Sequence, residues 1–206
     1  MARGEQARAD ILDAAERLIA IHGVHVSLRD IALAAGQRNN SAVNYHFENR
    51  QELVEAVVRR RLDPMERERA LMLAALGPEM RTDIHALLRV MVLPFTTVQG
   101  EYYARFLQAA ALLVRIHVAD GQGAVWRQIL DDLAGAIPTT DASARRRRLN
   151  SVGTTMFALL ADYERAVHEG DPSVDEPEEI VMMLAATLTA PLSGKHLVAT
   201  VGSATR

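Results

Sequence analysis

A chain of 206 residues, 49% hydrophobic and 24% charged, has enough apolar material for one large domain or a small domain attached to a larger one. Its net charge of −3 excludes a protein that coats nucleic acid by bulk charge, but leaves room for a locally positive face that reads one site. No apolar run is long enough to span a membrane, the N-terminus lacks an apolar signal core, and cysteine is absent; a cytoplasmic protein without disulfides, thiolate metal ligands or a bound cofactor is expected.

Helical periodicity runs almost throughout. Ile11, Ala15, Leu18, Ile19 and His22 lie on one helical face, and Gly23 stops that helix. Ser27-Leu28-Arg29-Asp30 has the form of a capping box, opening a short helix that buries Leu28, Ile31, Ala32 and Ala35 before Gly36 ends it. A third helix fits 40–47, and Asn49-Arg50-Gln51-Glu52 opens a fourth with Leu53, Val54, Val57 and Val58 on one side. Pro64 is read as the start of a further helix, followed by helices near 66–76, 81–98, 101–118, 123–136, 142–169 and 177–192. Gly77-Pro78, Gly100, Gly121-Gln122-Gly123, Pro138 and Gly170-Asp171-Pro172 supply the breaks. Pro94 should kink or break its helix, which would either open room for a ligand or bend the helix around the core. No alternating run suits a sheet. The expected fold is all-α, with a three-helix helix-turn-helix head over 1–48 joined by the fourth helix to a larger helical bundle over 49–206.

The segment 27–47 carries the strongest functional signal. A short helix, a Gly-containing turn and another short helix can set the latter in the major groove of DNA. Val43 and Phe47, one turn apart, should face the core, which sends Asn40, Ser41, Asn44 and Tyr45 outward. Small and amide side chains suit base edges and phosphates, where a merely solvated helix would favour Glu and Lys. Arg29, in the first turn of the second helix, could reach a guanine or a phosphate.

These residues resemble the TetR family of transcriptional regulators. The resemblance lies in Ser27-Leu28-Arg29-Asp30-Ile31-Ala32, Ala35-Gly36, and Asn44-Tyr45-His46-Phe47-Glu48-Asn49-Arg50 followed by Leu53. It implies base contacts from Arg29, Asn44 and Tyr45 and phosphate contacts from Ser27, His46 and Arg50. Two features depart from the family pattern. Asn44 stands where an aromatic is usual, and the 37–41 turn is one residue longer than the common one.

The resemblance also implies a homodimer on pseudo-palindromic double-stranded operator DNA, because each head reads only a few base pairs. The last two long helices, 145–168 and 177–192, would form its interface. Leu149, Val152, Met156, Leu159, Leu160 and Tyr163 make one stripe, and Ile180, Met183, Leu184, Thr187 and Leu188 the other; both suit an intrachain core as well. The implied effector is a small, largely apolar molecule that releases a repressor from DNA. Met72, Leu88, Met91, Phe95, Phe106, Leu107, Ala110, His117, Trp126 and Phe157 would line its pocket or else fill a closed core. Arg145-Arg146-Arg147-Arg148, far from the head, reads as a solvated or ion-paired run. The competing readings are an effector-independent DNA-binding protein and a helical interaction module. An enzyme is not expected, since no His-Glu-x-x-His, phosphate-binding Gly loop or Gly-x-Ser-x-Gly occurs.

Overall fold

A computed structural model describes residues 2–38, 41–97, 100–114, 123–171 and 176–191, and among these every regular element is helical. Helix α1 (Ala2–His22) begins well before its apolar stripe. Ile11, Ala15 and Ile19 are fully buried, Leu18 is half-buried and His22 is exposed, so the buried face ends one turn before the helix does. Gly23 then takes a φ of +81° and donates its N–H to the Ile19 carbonyl at 2.9 Å, a left-handed cap that an L side chain would strain.

Helices α2 (Leu28–Ala34) and α3 (Ser41–His46) follow, and α4 (Arg50–Ala75) leaves the head as one helix of 26 residues. Asn49 caps α4 by accepting from the Glu52 N–H at 2.9 Å, while Glu52 accepts from the Glu48 N–H at 2.6 Å. The break expected at Pro64 does not occur, and Pro64 sits inside α4. An interior proline costs about 3 kcal/mol. Burial on both sides offsets that cost: Leu53, Val54, Val57 and Met65 are locked into the head's core, and Leu73 into the body's.

After a 3₁₀ turn (Pro78–Thr82) come α5 (Ile84–Val92), α6 (Pro94–Thr97), α7 (Tyr103–Ala109), α8 (Ala111–Val114), α9 (Ala124–Ala136), α10 (Ala142–Glu169) and α11 (Pro177–Thr189). The helix expected over 81–98 is divided, because Asp83 caps α5 from within it and Pro94 opens α6. The helix expected over 101–118 is divided as well, with Ala110 ending α7; its last residues, 115–118, lie outside the described ones. In the body, α5 packs against α4, α9 and α11, and α11 lies along α10. Leu87, Leu88, Met91, Ile129, Leu133, Val152, Met156, Leu160, Ile180, Leu184 and Leu188 form that core.

Helix α7 is covered by α1 on one side and by α10 on the other. Tyr103, Phe106, Leu107 and Ala110 join the same core as Ile11, Ile19, Val43 and Phe47. Its N-terminus is held by Glu164 of α10, which accepts from the backbone N–H groups of Ala104 and Arg105 at 3.0 Å each. Burial raises the Glu164 carboxyl above its ordinary pKa, against the opposing pull of these donors and the Arg105 guanidinium. Of the run 145–148, Arg145 and Arg148 are engaged within the chain, and Arg146 and Arg147 are exposed. Arg145 donates to the Thr139 carbonyl at 2.7 Å, and Arg148 donates to the Leu188 and Ala190 carbonyls at the end of α11. Among the described residues no helix is long and apolar enough to cross a membrane.

Candidate nucleic-acid interface

Ser27 fixes the entry to α2. Its Oγ accepts the Asp30 N–H at 3.0 Å and donates to the Asp30 carboxylate at 2.6 Å. The exit is fixed by Gly36, at φ +71°. Gly36 donates its N–H to Leu33 at 3.0 Å, and Gln37 donates to Ala32 at 2.8 Å, the two bonds of a Schellman turn. A Cβ at Gly36 would meet nothing within 4 Å, so only its left-handed backbone resists substitution. Gly36→Ala is therefore expected to cost about 1 kcal/mol, read by urea unfolding, and a larger loss would mean that neighbouring side chains resist it.

Helix α3 is anchored from below. Val43 is buried, and Phe47, 2% exposed, donates its N–H to the Val43 carbonyl at 2.8 Å. The Arg8 guanidinium lies 5.1 Å over the Phe47 ring. With those two side chains turned inward, Ser41, Asn44 and Tyr45 face solvent. Tyr45 is 84% exposed, which excludes a packing role within the chain. Its ring meets the half-buried His46 edge-on at 5.0 Å. Arg29 and Arg38 are also exposed. Ser27, exposed as well, caps α2 whatever else it touches. Asn40 lies outside the described residues.

Arg50 is occupied within the protein. It is half-buried, and its Nη1 donates at 2.7 Å to the Val24 carbonyl, tying the start of α4 to the loop after α1. Its remaining donors are what a phosphate would have to share.

The neck between head and body carries a charge cluster that the sequence did not single out. Glu16 of α1, 3% exposed, accepts from Arg61 Nε at 3.0 Å, Arg61 Nη2 at 2.9 Å and Arg60 Nη2 at 3.1 Å. Asp13 adds a contact to Arg60 at 2.8 Å. Burial pulls the Arg61 guanidinium down, but its bonds and charge pairing with Glu16 hold it above its ordinary pKa. A polar cleft of about 580 Å³ opens beside this cluster, lined by Asp10, Asp13, Arg17, Ala34, Glu101 and Tyr102 among others.

The residues expected around an effector fall into two groups. Phe106, Leu107 and Ala110 belong to the core shared with the head, whereas Leu88 and Met91 belong to the body's core, with Met72 and Trp126 half-buried against it. Phe95 and Phe157 touch both cores and meet edge-on at 6.1 Å. His117 lies outside the described residues. Arg69 of α4, absent from the expected set, occupies the middle of this region at 1% exposure. Its guanidinium sits 5.3 Å from the Phe95 ring and 4.8 Å from that of Trp126. Burial lowers its pKa, with Glu66 opposing. The spacing Met65, Arg69, Leu73 at i, i+4 and i+8 was the signal that could have revealed it, because it puts Arg69 on the buried face of α4.

Of the stripes expected at a subunit interface, Val152, Met156, Leu160, Ile180, Leu184 and Leu188 are buried within the single chain. Leu149, Leu159, Tyr163 and Thr187 are half-buried and Met183 is exposed. Among the described residues no cluster of three His, Asp or Glu side chains could hold a metal ion.

Residues 11–57 match the family model of bacterial regulatory proteins, tetR family, a span that contains the motif residues from Ser27 to Leu53. No curated protein matches the chain. Among solved structures, the chain is similar to SmeT, the repressor of the Stenotrophomonas maltophilia multidrug efflux pump SmeDEF, at 22% identity and a TM-score of 0.51, covering 88% of this chain and 87% of that one. It is also similar to NalD, the secondary repressor of the MexAB-OprM multidrug efflux pump in Pseudomonas aeruginosa, at 21% identity and a TM-score of 0.47, covering 89% and 95%. The likeness to SmeT is one of fold and reaches beyond the head into the body.

Proposed function

We propose that this chain, a TetR-type regulator by its N-terminal segment, is a non-catalytic cytoplasmic repressor that binds a pseudo-palindromic operator as a homodimer and leaves it when a small molecule binds the body. One observation carries the reading. Helix α3 buries Val43, Phe47 just past its end is buried too, and Ser41, Asn44 and Tyr45 turn to solvent, a few residues after a capped and Gly-terminated α2. A helix presented in this way can enter the major groove with its side chains on base edges.

In this proposal Tyr45, Asn44 and Arg29 address bases, while Ser27, Ser41 and His46 address phosphates. Arg50 acts mainly by bracing α4 against the head through Val24. The head extends over 1–48, and the body begins with α4. Two heads must lie about 34–36 Å apart to occupy successive turns of one DNA face. The exposed apolar residues Met182 and Met183 of α11 and Val167 of α10, together with half-buried Leu149, Leu159 and Tyr163 elsewhere on α10, support a dimer seat on these two helices. An effector shifts the spacing only so far as it binds the two spacings unequally.

The test is a footprint on DNA beside the protein's own gene, with gel-shift titrations at matched salt. Tyr45→Ala should weaken operator binding about 10- to 100-fold and leave unfolding stability within about 0.5 kcal/mol, since the side chain is exposed. Asn44→Ala should flatten the preference at one base pair of each half-site. Unchanged binding in both variants, or a chain that prefers no duplex, would remove the regulator reading. A monomer by sedimentation at micromolar concentration would remove the dimer alone.

A further inference from the structure

Arg69 is poorly provided for. A guanidinium has five N–H donors and ordinarily meets carboxylates or carbonyls at 2.7–3.2 Å when buried. Here Nη1 reaches Glu66 only at 3.4 Å, and Nη2 reaches the Met91 carbonyl at 3.4 Å and the Met65 sulfur at 3.8 Å. Nε is buried with no acceptor. Glu66 is shared besides, since its other oxygen accepts from the backbone N–H groups of Val125 and Trp126 in the first turn of α9, at 3.0 and 3.4 Å. One carboxylate thus serves both the positive end of a helix and a buried cation. Phe95 and Trp126 lie beside the guanidinium with Phe157 against Phe95, and Glu68 and the buried Tyr103 are near enough to act on its charge without a hydrogen bond to it.

We propose that Arg69 is the recognition group for the effector's polar end, and that the effector is an amphipathic carboxylate with an apolar body. The inference rests on the effector-responsive regulator described above and narrows its ligand. Such an anion would take Nε and a terminal nitrogen in the paired geometry that suits a guanidinium, leaving Glu66 to α9. Its apolar body would lie where Phe95 and Trp126, both half-buried, now cover the cation. Arg69 stands on α4, whose first turn is tied to the head through Arg50 and whose middle is tied to α1 through Arg60 and Arg61. A ligand on Arg69 therefore pulls on the helix that carries the head. A neutral molecule of the same shape would leave Nε without an acceptor and bind less well.

Trp126, the single tryptophan of the chain, reports on this site directly. The full-length protein is titrated with octanoate, decanoate, cyclohexylacetate and 4-phenylbutyrate, and with the primary amide of each, following Trp126 emission. Operator binding is followed in parallel. At least one acid is expected to bind about 10-fold or more tighter than its amide and to release the operator. Arg69→Met, which keeps an apolar side chain in place of the buried cation, should abolish the preference for acid over amide, and Arg69→Lys should restore part of it. Circular dichroism and operator binding of Arg69→Met establish that it folds; if it does not, the Arg69→Lys titration decides alone. Acids and amides of equal affinity in the native protein, an acid preference that survives in Arg69→Met or is undiminished in Arg69→Lys, or no binding by any acid would overturn the assignment. Operator binding that persists while every acid fails leaves the regulator reading standing. Acid binding at Trp126 without any operator binding does the reverse.

Discussion

Phe47→Ala is expected to destabilise the protein by about 3–5 kcal/mol and to eliminate operator binding at concentrations where the native chain is saturated. The ring is 2% exposed and sits below the end of α3, against the core that Ile11, Ile31, Val43 and Leu53 share. Its loss removes apolar transfer energy, leaves a cavity the short helices cannot close, and strips Arg8 of its ring contact. Because a domain holds only about 5–15 kcal/mol in all, this one change consumes a large share. Urea unfolding measures the loss, and a gel shift on the footprinted site measures the binding. Phe47→Leu, which refills most of the volume, should recover the greater part of both. A stable Phe47→Ala protein that still held DNA would show that α3 does not depend on its anchor.

The second large effect is expected at Glu16. Glu16→Ala removes the acceptor of three bonds from Arg60 and Arg61 and takes away the carboxylate that the two guanidinium groups share at the neck. Breaking a fully buried pair from one side costs about 3–5 kcal/mol; with both arginines roughly a quarter exposed, about 2–4 kcal/mol is expected. Thermal unfolding should show the drop, and Glu16→Gln, which keeps the volume and one acceptor, should lose about half as much. If Glu16→Ala matched the native protein in stability, the neck would be held by apolar packing alone.

The head was legible because its signals are local. Ser27 with Asp30, Asn49 with Glu52 and the glycines at 23 and 36 each dictate a cap from residues a few positions apart, and the structure contains each cap. Val43 and Phe47 identified the buried side of α3, and with it the outward side. Long-range choices were less visible. Pro64 signals a break on its own, and only the two cores gripping α4 on either side of it override that signal. The stripes of α10 and α11 could not be divided between core and surface by periodicity, because a helix facing two neighbours shows one broad apolar side for both. Arg69 was missed for a related reason. A cation on an apolar face reads as a surface residue until the aromatic rings that cover it, far away in the chain, are seen beside it.

Helix α7 is clasped between α1 and α10, contributing Tyr103, Phe106 and Leu107 to the head's own interior. The two parts so joined share one interior at the waist. A fragment cut off after the third helix would therefore lose part of its own floor. Such a fragment should be unfit to serve as a free-standing DNA-binding module.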